Sequence, residues 1–178
     1  MSSCFVLMLL AAVCPASSLH AGVDVELALE AFHTTCLAHG PDFDRTAAAA
    51  ERLGWTPVAY GAYSDLSPLG NVHDAKSWVT AADDNMPKGA IIEVTKASLD
   101  GKAVQTCTVA VTGVDCQAFL KAFFTRTDAE KIEEKRDGLQ TSRLYILFVG
   151  GREQLVNLKY PTSPAAEGLM VASSITDD

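Results

Sequence analysis

Five cysteines and four histidines are the residues of this chain that could perform nucleophilic or metal chemistry. His33, Cys36 and His39 form the tightest group, with the spacing H-x-x-C-x-x-H. Each step of three residues falls about 60° short of a full helical turn, so the two histidines would diverge by about 120° around a helix. Histidines that bind zinc from one helix usually stand four residues apart. The spacing therefore predicts no metal site, and we expect no cofactor.

A thiol nucleophile is the sharpest enzymatic hypothesis that the residues offer. Such an enzyme needs an accessible, activated cysteine and an oriented base. Cys36 falls on an apolar helical stripe, which disfavours the thiolate, while Cys116 stands where a helix N-terminus would favour it but Asp115 would oppose it. The local signatures of known hydrolases are missing from the sequence. We therefore expect no catalytic residues and keep a small thiol-dependent enzyme, using an unpaired cysteine, as the alternative function.

The first twenty-one residues set the expected chemical environment of the cysteines. Residues 4–15 are apolar and uncharged, and mostly small residues follow up to Ala21. This stretch is too short to span a bilayer and has the position of a signal peptide, although no basic residue precedes it. We predict a signal peptide over 1–21 and a single periplasmic or secreted domain over 22–178. Lipid attachment at Cys14 is a minor alternative, because a bulky residue precedes it.

Removal of the predicted signal peptide would leave three cysteines, at positions 36, 107 and 116. In an oxidising compartment two of them should pair and leave one thiol over. The sequence leaves all three pairings open. We favour a disulfide between Cys36 and Cys107, which would tie a helix to a strand. Pairing of Cys107 with Cys116 is the local alternative, and pairing of Cys36 with Cys116 is the third.

Composition and charge limit the classes of partner. The chain is 48% hydrophobic and 20% charged, as is typical of a globular domain. Its formal net charge of −8 opposes binding to nucleic acid or to anionic membranes, for which a basic patch is the expected footprint. The same charge suits a protein partner with a basic surface, or a small ligand. We expect no nucleic-acid binding and no membrane span.

Helix-start and helix-end residues predict three helices. Asp24 stands where the first N-cap is expected, and the second helix is expected to follow Asp42 or Asp44. Gly40 and Gly54 stand where the two helices would end. The first two helices are therefore expected to form a short antiparallel hairpin. Asp115 is placed to cap a third, central helix.

Strand patterns occupy much of the remaining chain. Asp100-Gly101 between two β-rich runs is a strong hairpin signal. Thr127 and Glu130 fit a capping box, so one or two further charged helical turns are predicted up to Gly138. Strands are predicted near 77–81, 90–98, 104–112, 143–149, 154–160 and 169–174.

The predicted order of elements is α-α-β-β-β-α-β-β-β. Most neighbouring strands must be antiparallel, because parallel neighbours need crossover connections of a dozen or more residues. We therefore expect an α+β fold, in which a mostly antiparallel sheet of five to six strands is packed by the N-terminal helix hairpin and the central helix.

The segment 58–87 has the weakest regular pattern and carries three aromatic residues of interest, Tyr60, Tyr63 and Trp78. Ligand-contacting residues favour loops on rigid scaffolds, so we predict a ligand or partner surface here and at the exposed edge of the sheet. The leading hypothesis is an exported, non-enzymatic binding or inhibitory module.

The N-terminal helical region also carries a resemblance. Ala31-Phe32, Cys36-Leu37, Asp42-Phe43 and Leu53-Gly54-Trp55, around an alanine-rich helix, resemble a group of small exported bacterial proteins of unknown function. The resemblance covers this region alone. It implies a bacterial origin and a location outside the cytoplasm, and it assigns no catalytic residue.

Overall fold

The computed structural model describes residues 23–59, 61–81, 85–163 and 169–178. The predicted signal peptide over 1–21 and the predicted surface residue Tyr60 lie outside the described residues. Within the described ranges, no helix is both long enough and apolar enough to cross a membrane.

Aspartate caps fix where each α-helix of the described chain begins. A side-chain oxygen of Asp24, Asp42 and Asp115 accepts hydrogen bonds from backbone N–H groups of the first turn that follows it. These N–H groups have no partner within the helix, so each cap stabilises its helix by about 1 kcal/mol. The helix starts predicted at Asp24, Asp42 and Asp115 are confirmed. The helical segments are α1 (Val25–Phe32), a π-helical turn (His33–Leu37), α2 (Phe43–Arg52) and α3 (Cys116–Arg126).

Eight strands of the described chain form a single antiparallel sheet. They are β1 (Thr56–Pro57), β2 (Val72–Val79), β3 (Ile91–Leu99), β4 (Lys102–Thr112), β5 (Glu130–Asp137), β6 (Gln140–Val149), β7 (Arg152–Pro161) and β8 (Leu169–Asp177). Their order across the sheet is β1-β2-β3-β4-β8-β7-β6-β5. Two meanders of four strands therefore meet along β4 and β8.

The turn between β3 and β4 has the predicted residues and geometry. Asp100 and Gly101 have φ angles of 51° and 79°. Two consecutive positive φ angles match the right-handed twist of the flanking strands, which explains why this dipeptide closes a tight hairpin.

The predicted fold class is wrong in its number of strands and in its helix arrangement. We expected five to six strands and an N-terminal helix hairpin, whereas the described sheet has eight strands. α1 packs mainly against α3, and Glu26 and Glu30 on α1 form ion pairs with Arg126 on α3. α2 lies instead against β3 and β4. Capping residues report where helices begin and end, but they carry no information about which element each helix contacts.

Two strands that were not predicted, β1 and β5, account for the error in the number of strands, and β5 is the longer of the two. Thr127 is extended, with φ −132° and ψ 152°, so the predicted capping box does not start a helix. Residues 130–137 pair with β6 at the edge of the sheet, and seven of these eight residues are charged. Charged side chains are common on edge strands because they prevent pairing with other chains. The two-residue β1 at the opposite edge gave no signal in the sequence.

The main core lies between the helices and one face of the sheet. Phe32 on α1 and Phe123 on α3 are fully buried against strand residues such as Ile92, Tyr145 and Leu158. The favoured disulfide is confirmed. Cys36 in the π-helical turn is bonded to Cys107 on β4, with 5.2 Å between the Cα atoms.

The opposite face of the sheet, here called the open face, is partly covered by a loop. This strap, residues 61–71, runs between β1 and β2. Leu66 packs on Ala110 and Val171 at one end of the central strands, and Leu69 packs beside Val104 and Ile175 toward the other end. The strap therefore crosses β4 and β8 and reaches β7, where the Lys159 ammonium donates a 3.4 Å hydrogen bond to the Asp65 carbonyl.

Candidate functional site

A groove lies on the open face beside the strap. It consists of a cavity of about 540 Å³ and a neighbouring cavity of about 200 Å³. Leu99, Leu155 and Ile175 line both cavities, so the two lie side by side and are described together. We call it the open-face groove.

The pairing register of the strands forms the floor of the groove. Leu155 on β7 stands opposite Ile175 on β8 and Ile146 on β6. Directly paired residues point to the same face of a sheet, so these three apolar side chains stand side by side, and Leu155 and Ile175 line the groove. Phe148, two residues beyond Ile146 on the same face, is 70% exposed. Its partner across the strands is Glu153, which lines the groove.

The rim of the larger cavity is acidic. Glu153, Asp177 and Asp178 line it together with a single cation, Arg152. Asp178 accepts a hydrogen bond of 2.5 Å from the side-chain amide of Gln105. Within the described chain these three carboxylates have no salt-bridge partner.

The rim of the smaller cavity is electrically balanced. Glu133 and Lys135 line it and form an ion pair with 3.1 Å between the oxygen and the nitrogen. The Ser142 hydroxyl, also in its lining, donates a 2.9 Å hydrogen bond to the Asn157 side chain. The charge imbalance of the groove therefore belongs to the larger cavity.

Two pairs of hydroxyl groups lie between the points where the strap is anchored. Thr95 and Thr106 form a 2.7 Å hydrogen bond between β3 and β4, and Thr108 and Ser173 form one of 2.8 Å between β4 and β8. All four residues are buried. Each hydroxyl pair satisfies its own hydrogen-bonding groups, so this polar layer is stable without a ligand.

Glu93 lies in the same layer and is not satisfied. It stands opposite Ser77 on β2 and Thr108 on β4 and is 2% exposed. The Ser77 hydroxyl donates a long bond of 3.4 Å to one carboxyl oxygen, and the other oxygen is buried without a partner among the described residues. Burial raises the pKa of Glu93 from its ordinary value of 4.5 to about 7, and the bond from Ser77 opposes this only in part.

Of the three aromatic residues predicted at a surface, Tyr63 and Trp78 belong to the described residues. Trp78 points to the helix face and is 6% exposed within the main core, so a ligand cannot reach it there. Tyr63 is half-buried on the strap and packs against the cluster around Leu66. The predicted segment does contribute Pro68 and Leu69 to the groove, but the other lining residues come from later strands. The continuous apolar run of β6 was the one available signal, because it implies that both faces of that strand are partly covered.

The thiol of Cys116 lacks the features of a nucleophile. Burial, followed by the neighbouring charge of Asp115, raises its pKa. Its sulfur lies 3.7 Å from the carbonyl oxygen of Val114, to which the thiol donates. Among the described histidines, His73 is hydrogen-bonded to Ser98, and His39 lies beyond the π-helical turn. His33 lines a small cavity with Phe123 and Arg126 near the C-terminal end of α3, whereas Cys116 begins that helix. The geometry therefore offers no support for a thiol-dependent enzyme.

Metal binding likewise has no support in the described part of the chain. Cys36, the central residue of the His-Cys-His spacing, is bonded to Cys107 and therefore has no free thiolate to bind a metal ion. The described residues contain no group of three or more His, Cys, Asp or Glu side chains that could hold a metal ion.

Comparison with known proteins leaves the groove as the basis for any functional argument. No family model, curated protein or solved structure matches this chain. The resemblance to small exported bacterial proteins stays a prediction.

Proposed function

We propose that this protein is an exported, non-enzymatic binding module that holds a basic segment of a protein partner in the open-face groove. One observation carries the proposal: the larger cavity of the groove has an apolar floor and carboxylates on its rim that are not ion-paired within the described chain. That combination favours an occupant with both apolar and cationic side chains.

Charge defines the chemistry of the partner. Glu153, Asp177 and Asp178 outnumber Arg152 at the rim, and the whole chain carries a formal charge of −8. A field of one sign speeds the encounter with an oppositely charged partner. Lysine and arginine side chains can lay their methylene stems on an apolar floor while their charged ends reach the rim.

The shape of the groove favours a chain segment over a compact small molecule. The two cavities together extend from Leu99, the last residue of β3, across β8 and β7 to Leu144 on β6. The exposed ring of Phe148 extends the apolar surface beyond the cavities. Exposed aromatic rings beside a polar rim are typical of protein interfaces.

The disulfide supports the exported location. A bond between Cys36 and Cys107 persists in an oxidising compartment and is rare in the reducing cytosol. Export and partner recognition together make an inhibitory or neutralising role the natural form of this function.

A peptide titration tests the proposal. The disulfide-intact protein is titrated by calorimetry with an eight-residue peptide of alternating lysine and leucine, and with its counterpart of alternating glutamate and leucine. We expect binding of the lysine peptide alone, with an affinity that falls as salt increases, because exposed charges are screened. The double variant Glu153→Gln and Asp177→Asn should weaken this binding by about fivefold or more.

A matched control separates the groove from net charge. Glu51→Gln removes an exposed carboxylate from α2, outside the groove, and should leave the affinity within about twofold of the unmodified protein. Equal binding of both peptides would contradict the proposal. So would an equal loss of affinity in the control variant and in the groove variant, since that would indicate a non-specific attraction.

A further inference from the structure

A second cleft lies on the helical side of the molecule, and we propose that it binds a small organic carboxylate with an aromatic or apolar body. The cleft measures about 280 Å³. It lies between the π-helical turn, α2 and the chain around Met86, and it is separate from the open-face groove. The proposal is therefore independent of the proposed function.

α2 supplies the cationic wall. Arg45, Ala49 and Arg52 line the cleft, and positions four and three residues apart fall on one face of a helix. His39, just beyond the π-helical turn, adds a third basic side chain to the lining. In a chain with a formal charge of −8, two arginines and a histidine line this one cleft, and the described lining residues include no carboxylate.

Arg45 is the most restrained of these cations. Its guanidinium donates a 2.5 Å hydrogen bond to the carbonyl of Gly40 and lies 3.7 Å from a carboxylate oxygen of Asp42. These contacts hold the side chain at the entrance of α2 and partly neutralise it. Within the described chain Arg52 has no ion pair, so it is the group with charge to offer an incoming anion, and the imidazole ring of His39 can supply a hydrogen bond.

The π-helical turn forms the facing wall, and the disulfide holds it. Thr34 and Thr35 of this turn line the cleft, while the next residue, Cys36, is bonded to Cys107 on β4. A π-helical turn widens the helix locally and occurs frequently at functional sites. The wall is therefore fixed to the sheet at the position where the backbone is widest.

Trp55 gives the cleft an aromatic surface. The residue lines the cleft, is 5% exposed, and has an indole Nε1 that is buried without a hydrogen-bond partner among the described residues. A buried donor without an acceptor costs about 1–3 kcal/mol. Since water does not reach this atom, a carboxylate oxygen would reach it only after a flexible lining side chain such as Met86 changes rotamer. Binding should then remove the cost.

The cleft chemistry selects the ligand class. Guanidinium groups bind carboxylates through paired N–H donors, which gives charge-assisted hydrogen bonds. Ala49, Leu53, Trp55 and Met86 offer an apolar surface for the rest of the ligand. An inorganic anion would use the cations but leave that surface exposed, and a neutral aromatic molecule would leave the cations without a partner.

Phenylacetate and its neutral counterpart phenylacetamide are the probes for the test. Each is titrated into the disulfide-intact protein while backbone and indole N–H resonances are followed by NMR. Phenylacetate should bind at least about fivefold more tightly than phenylacetamide. The Trp55 indole resonance should move during the titration, while that of Trp78, which does not line the cleft, serves as an internal reference.

Two exposed residues permit variants that do not threaten folding. His39→Gln and Arg52→Gln should each weaken phenylacetate binding by about threefold or more, with little effect on phenylacetamide. Lys121→Gln removes an exposed cation on α3 and should leave the affinity unchanged. Equal affinities for the two probes would overturn the proposal, as would resonance changes that avoid the cleft or an equal loss of affinity in Lys121→Gln.

Discussion

Glu93→Gln is the substitution that best tests our account of the open face. The change keeps the size and shape of the side chain but removes its ionisation. The carboxyl group is 2% exposed, and one of its oxygens has no partner among the described residues. Because the nearest described neighbours on β2 and β4 are the hydroxyls of Ser77 and Thr108, no facing cation compensates a negative charge there.

The magnitude follows from the raised pKa. Glu93 titrates at about 7 in the folded chain and at an ordinary value of 4.5 when exposed. Below pH 4.5 the carboxyl is protonated in both the folded and the unfolded state, so its ionisation does not lower the free energy of unfolding. Above pH 7 it is ionised in both states, and the folded state carries the full penalty of roughly 3 kcal/mol. The free energy of unfolding should therefore fall as pH rises from about 4.5 to 7, through this group alone.

The assay compares urea unfolding of the two disulfide-intact proteins at pH 4, 5.5, 7 and 8.5. Glu93→Gln should gain stability relative to the unmodified protein by roughly 3 kcal/mol between the lowest and the highest pH. The change with pH is more informative than the difference at one pH, because the new amide also lacks a hydrogen-bond acceptor and carries a constant cost.

Parallel stability curves for Glu93→Gln and the unmodified protein would refute the reasoning. They would mean that the carboxyl ionises normally and is therefore hydrated, contrary to its exposure of 2%. Glu51→Gln, at an exposed position on α2, is the matched control and should give a curve parallel to that of the unmodified protein.

Three further outcomes follow from the packing of the described chain. Replacing Cys36 and Cys107 together by serine should lower the free energy of unfolding by roughly 4 kcal/mol, measured by urea unfolding, because the disulfide closes a loop between residues 71 positions apart. Cys116 should react slowly with a thiol reagent at pH 8 in the native protein and rapidly after denaturation, because its pKa is raised; fast native labelling would contradict this. Asp115→Ala should cost about 1 kcal/mol by removing the cap of α3, and an unchanged unfolding midpoint would show that the cap is not needed.

The sequence predicted the features that depend on a few neighbouring residues. Asp24, Asp42 and Asp115 cap helices because a short side chain can reach the N–H groups of the next turn. Asp100-Gly101 closes a hairpin because these residues tolerate positive φ angles. Such requirements are local, so they can be recognised without knowing the fold.

The disulfide is an intermediate case. Helical periodicity and strand pattern placed Cys36 and Cys107 on elements that could meet, but Cys116 was chemically equivalent at that level. The structure distinguishes them by distance, since the π-helical turn and β4 bring two of the three sulfurs together.

The errors arose where distant segments decide the outcome. The charged residues of β5 form a strand because they pair with the edge of β6. No local pattern in residues 130–137 indicates that this edge is available. Trp78 was predicted at a surface but belongs to the core, because the register of β2 against β3 turns its side chain toward the helices. A shift of one residue in that register would have exposed it.

The sequence by itself determined where the helices begin, where the central hairpin turns, and that the surface charge is negative. Only the tertiary structure decided that Glu93 is buried, that apolar residues of β6, β7 and β8 form a groove with an acidic rim, and that basic residues gather at a second cleft. The physical reason is range. Backbone capping and turn geometry are settled within a few residues, whereas burial and charge clustering depend on which strands become neighbours.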